Sequence, residues 1–233
     1  MALATRLMRG LVDAVFVLLV IALALAVMTR LSARGRALLT GWLVVLGILA
    51  GAGVFLRDGR VQPYFLAAGL LPTIVGIAFV TSRAGAAVLA RTSPATLVGL
   101  QSFRVVVELA LWALALQGRL SPLLTFEGRN FDVLVAVTAL PMAWLCLARR
   151  AWAPAAAAVW NVAGIVILVS TVLHFVLSAP TPFQRIRTEP ATRIVAGLPY
   201  IWLPGFLVPL AWTLHVASLR TLGGRLRSPK EMP

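Results

Sequence analysis

The stretch PATLVGLQSFRVVVELALWALALQ, residues 94–117, decides how this chain is read. Pro94 suits the first turn of a helix, and the residues that follow are long and apolar enough to cross a bilayer. Yet they carry Gln101, Arg104 and Glu108 in their midst. At a rise of 1.5 Å per residue Glu108 falls roughly 15 Å from the end of such a helix, near mid-membrane. A lone ionised group there costs on the order of 3 kcal/mol or more, so it is expected to face the interior and find a partner. Arg104, four residues earlier on the same face, is the nearest candidate. One reading is a structural ion pair, with Gln101 assisting; the other is a relay for protons or cations.

The rest of the chain calls for the same solvent. Of 233 residues 61% are hydrophobic and only 12% charged, with a mean hydropathy of +0.95; soluble domains are about one quarter charged. Twenty-one Lys and Arg against seven Asp and Glu give a net charge of +14. That excess sits in short clusters between apolar runs, where headgroups place it, and no basic stretch is interleaved with aromatics, so nucleic acid is not an expected partner. Cys146 is the sole cysteine, which excludes internal disulfides and Cys-rich metal sites. The sole lysine, Lys230, lies in the polar tail, so a Schiff base within the bundle has no residue to form on. Arg6 and Arg9 before an apolar run ending in ALALA resemble a secretory signal, but Asp13 is foreign to a signal's apolar core.

The fold class expected is all-α: a polytopic membrane bundle of about seven helices near residues 11–29, 37–55, 64–80, 94–117, 132–148, 154–177 and 194–219. Residues 1–219 then form one transmembrane domain and 220–233 a basic polar tail. RDGRVQP is read as a polar turn, and the segment holding Arg83 and Arg91 as one lying at the interface. Pro72 is expected to kink the third span, and Pro199, Pro204 and Pro209 to bend or break the seventh. Gly47 and Gly51 form a GxxxG face for close packing within or between chains. In this scheme twelve Lys and Arg lie with the C-terminus and nine on the opposite side, which favours a cytoplasmic C-terminus. Asp58, Glu127, Asp132 and Glu189 all fall on the nine-residue side, making it a polar rim.

Several residues invite chemistry. TFEGRNFD, residues 125–132, offers Glu127 and Asp132 with Arg129 and Asn130 between them; it also offers Gly128 for a turn and Asn130 or Asp132 to cap the fifth helix. Its spacing matches no metal loop. Depth along the helices puts His215 and Asn161 at a level where, with Arg104, they form a polar cluster. His174 sits near the other end of the sixth helix, too far from His215 for a shared haem, and no cofactor is expected. GxSxG and HExxH are both absent.

From Arg104 to Arg220 the segments FRVVVEL, TFEGRNFDVL, WN at 160–161, LSAPTPF, WLPGFLVPL and HVASLR resemble an uncharacterised family of bacterial multi-pass inner-membrane proteins. The resemblance implies that location and transfers no activity or catalytic residue. The leading functional expectation is the binding or movement of a small ligand or ion, using Arg104, Glu108, Glu127, Asn130, Asp132, Asn161 and His215. The alternatives are an intramembrane enzyme acting on a lipid-borne substrate and an assembly partner in a membrane complex. The partners expected are the bilayer, a small molecule or ion, and a second copy or another membrane protein.

Overall fold

The computed structural model describes residues 2–148 and 150–227. Arg149, and Lys230 and Glu231 with the rest of 228–233, lie outside the described residues. Among the described residues the regular structure is helical apart from one two-stranded hairpin. Helices α1 (Ala2–Met28) and α2 (Ala33–Gly51) come first, followed by β1 (Leu56–Arg57) and β2 (Arg60–Val61). Then follow α3 (Phe65–Thr81), α4 (Arg83–Leu89), α5 (Pro94–Leu100), α6 (Phe103–Leu116), α7 (Asp132–Leu147), α8 (Ala153–Ser178) and α9 (Val208–Arg227). Residues 220–227 of the expected tail therefore belong to a helix.

Among the described residues four segments are long and apolar enough to cross a membrane: Arg6–Met28, Ala33–Gly51, Pro94–Leu116 and Ala153–Ser178. A fifth arises if α3 and α4 count as one span, although they meet at a 75° bend. The outward side chains are those of a surface facing hydrocarbon: Leu18, Ile48, Val75, Leu140 and Val166 all stand exposed. Inside, α9 is the central helix, packed on α3, α5 and α8, while α7 packs on α5, α6 and α8.

Serines start the helices that begin at one end of the bundle. Ser32 caps α2, Ser82 caps α4 and Ser93 caps α5, each oxygen accepting from an amide three residues on. At the same end the Arg220 guanidinium donates to the Val80 and Ser82 carbonyls, tying α9 to the corner between α3 and α4. At the other end Asp58 and Gly59, both at positive φ, make the two-residue turn of the hairpin. The Val61 amide donates to the Pro180 carbonyl, so the hairpin and the segment after α8 share one rim.

The proline-rich run before α9 is discontinuous. A 3-10 turn at Ile194–Ala196 gives way to a π-helical turn at Leu203–Leu207 and only then to α9. Two indoles from opposite sides hold this break: Trp42 of α2 donates to the Gly205 carbonyl at 2.8 Å, and Trp202 donates back to the Leu43 carbonyl at 3.0 Å. Gly47 and Gly51 lie against Trp202 and Leu198, so the GxxxG face of α2 is used within the chain.

Candidate functional site

The site begins where α5 stops. The helical path slips at Gln101 and Ser102, then resumes as α6, which turns Gln101, Arg104 and Glu108 inward at spacings of three and four. Gln101 is anchored by its amide donating to the Ala211 carbonyl at 3.1 Å. Arg104 is 2% exposed, and each edge of its guanidinium has a partner. Nε donates to Asp132 Oδ2 at 2.6 Å and Nη2 to Asp132 Oδ1, a bidentate pair, while Nη1 faces Gln101 Oε1 at 3.4 Å and His215 Nε2 at 3.1 Å. The partner of Arg104 is thus Asp132, not Glu108 on its own helix.

The proton on His215 follows from its neighbours. Asn161 gives its amide hydrogens to the Ala157 carbonyl at 2.7 Å and Ser218 Oγ at 3.0 Å, so its Oδ1 is the acceptor that faces His215 Nδ1 at 2.9 Å. The hydrogen therefore sits on Nδ1, and Nε2 offers its lone pair to Arg104. With both nitrogens engaged, the ring is a fixed bridge between α6 and α8. Gly164 makes room for it, since a Cβ there would run into the imidazole.

Glu108 meets a different group. Its Oε1 and Oε2 accept from Asn130 Nδ2 at 2.9 and 2.8 Å. Asn130 Oδ1 accepts in turn from the Asp132 amide at 3.1 Å and Thr171 Oγ1 at 3.0 Å, which fixes the orientation of the amide. Phe131, not Asn130, is the N-cap of α7; Asn130 takes the first amide of that helix from one residue further out and holds Glu108 with the same side chain.

These contacts require the connection after α6 to descend again. α6 climbs thirteen residues from Phe103 to Leu116, yet Asp132 is back at the level of Arg104. Leu120, Leu124 and Thr125 are buried on the way down. Gly128 permits the close return, because a Cβ there would strike the backbone of Pro122 and Leu123. Asp132, expected at the rim, therefore lies inside. Being only sixteen residues long, α7 starts within the bundle.

Arg104, Glu108, Asn130, Asp132, Asn161 and His215 are brought into one hydrogen-bonded network. On α8 it extends from Asn161 to Thr171, about 15 Å at 1.5 Å per residue, or half of a ~30 Å hydrocarbon core. Glu127 is not part of it, since it stays at the surface and accepts from the Trp112 indole at 2.9 Å. His174 stands apart with its Nδ1 on the Ser170 carbonyl. Ten residues of α8 separate His174 from the glycine beside His215, about 15 Å, which is closer than the sequence suggested.

Three members were missed in the sequence: Thr171, Ser218 and Gly164. A helical stripe was the signal that could have found them. Asn161, Gly164, Leu168 and Thr171 follow one another at spacings of three and four on α8, and Ser218 is three residues after His215.

Among the described residues no group of three or more His, Cys, Asp or Glu side chains could hold a metal ion. The network carries two carboxylates and one guanidinium, and the guanidinium is taken by Asp132. Comparison with curated proteins and with solved structures finds no match. A family model does match residues 61–223, a range that takes in the whole network from Gln101 to Ser218, and on that match the chain belongs to the family described as Domain of unknown function (DUF8737).

Proposed function

We propose that this is a multi-pass protein of the bacterial inner membrane, crossing it seven times with its C-terminus in the cytoplasm, and that its buried network binds and relays a small cation, the proton above all. The observation that carries the reading is the placing of Glu108. Among the described residues its two oxygens accept hydrogen bonds only from the amide of Asn130, while the one cation of the network is committed to Asp132. A carboxylate shielded from water and lacking a cationic partner calls for a neutralising charge. A proton fits without added space, and a larger cation would need the Asn130 amide to withdraw.

Proteoliposomes test this directly. With a pH-sensitive dye inside, the wild-type protein is expected to dissipate an imposed pH gradient faster than empty vesicles. Glu108→Gln, which keeps the shape and the Asn130 side chain but not the exchangeable charge, is expected to abolish the difference at unchanged helicity and monodispersity. Equal flux through both proteins, or a variant that no longer folds, would move Glu108 to a structural role.

A further inference from the structure

A second polar pair lies outside the network, beside a groove between α1 and the break before α9. Asp13 Oδ1 accepts from Arg119 Nη1 at 3.0 Å and from the Tyr200 hydroxyl at 2.5 Å. The Arg119 guanidinium carbon stands 5.6 Å from the centre of the Tyr200 ring, whose own centre is 4.8 Å from that of Phe16. Both charged side chains remain partly exposed, Arg119 Nη1 also donates to Gln117 Oε1 at 3.3 Å, and among the described residues Asp13 Oδ2 makes no hydrogen bond. Next to them a groove of about 570 Å³ is walled by Val17 and Leu18 of α1 and by Leu198 and Trp202 of the break. The Trp202 indole N–H is spent on the Leu43 carbonyl, so Asp13 supplies the groove's one unspent polar side-chain group.

We propose that this groove holds one acyl chain of a zwitterionic phospholipid with a primary amine, its ammonium on Asp13 and its phosphate on Arg119. Leu18 and Leu198 are exposed on the outward side, so in a bilayer the groove opens to lipid rather than to a water-soluble ligand. The paired charges select the headgroup. Phosphatidylglycerol brings a phosphate to Arg119 but only neutral hydroxyls to Asp13, and a choline headgroup has no N–H to donate to the carboxylate, so only a primary ammonium gives Asp13 a charge-assisted hydrogen bond. This assignment rests on the chain residing in a bilayer and not on the relay at Glu108.

The full chain, purified and exchanged into nanodiscs of equal phosphatidylethanolamine, phosphatidylcholine and phosphatidylglycerol, is released for native mass spectrometry. Retained phosphatidylethanolamine is expected to exceed each of the others by about tenfold, the size of one charge-assisted hydrogen bond. Asp13→Asn and Leu18→Trp, which alter the headgroup contact and fill the groove, are each expected to remove the preference. Leu18 is exposed, so its variant keeps the test decisive if Asp13→Asn does not fold. Equal retention of the three lipids by the wild type, or an intact preference in Leu18→Trp, overturns the assignment. A Glu108→Gln protein that moves no protons leaves this readout unchanged.

Discussion

Arg104 shows at the scale of one residue why buried charge is worth less than its contacts suggest. Its bidentate pair with Asp132 sits where both groups have lost water, so attraction and desolvation largely offset. Removing one partner is different, because the other is left charged and alone. Arg104→Met is expected to destabilise the protein by about 3–5 kcal/mol, and adding Asp132→Leu to recover most of that loss. Reversible unfolding in mixed detergent micelles measures both; a double variant no better than the single one would show that His215 and Gln101, not Asp132, set the cost. Arg104, Glu108 and His215 were legible because each interrupts an apolar run. Their pairing was not: Asp132 is 28 positions from Arg104, and helical spacing speaks only for neighbours three or four apart.

At the scale of elements, the boundaries that read most clearly are those set by backbone chemistry. α3, α7 and α8 begin and end within a residue or so of the expected spans, where turn formers and polar residues punctuate the sequence. The break before α9 follows from three prolines. What could not be read is the descent after α6, since the sequence GRLSPLLTFEGRNF looks the same over a surface or folded back into a bundle. Its burial is decided by partners elsewhere, Glu108 and Thr171 among them. Gly164 belongs to this scale too, because it sets how close α8 comes to α9. Gly164→Ala is expected to cost about 1–3 kcal/mol by pushing the His215 ring off Asn161, against little effect from alanine at the uncrowded Gly41. Thermal unfolding of the two variants side by side checks the contrast.

For the whole molecule, the sequence revealed a hydrophobic, helical chain, while among the described residues four to five helices satisfy length and apolarity for a crossing. α7 falls short in length, at sixteen residues, and α9, at twenty, in apolarity, because the break leaves it the arginine-bearing end of the run. The proposed arrangement of seven crossings would put the hairpin turn and the start of α2 on opposite sides. In a Cys146→Ala background, Asp58→Cys is expected to react with an impermeant maleimide added outside intact cells, and Arg34→Cys only after lysis. Labelling of both from one side would contradict the arrangement.

In the proposed relay Glu108 exchanges a proton within a network whose other groups are engaged. Infrared difference spectroscopy on the reconstituted protein through a pH step observes the carboxyl group itself. A carbonyl band of a protonated, water-shielded carboxyl is expected to appear or vanish with the step and to be missing in Glu108→Gln. No exchanging carboxyl band, or the same band in that variant, would contradict it.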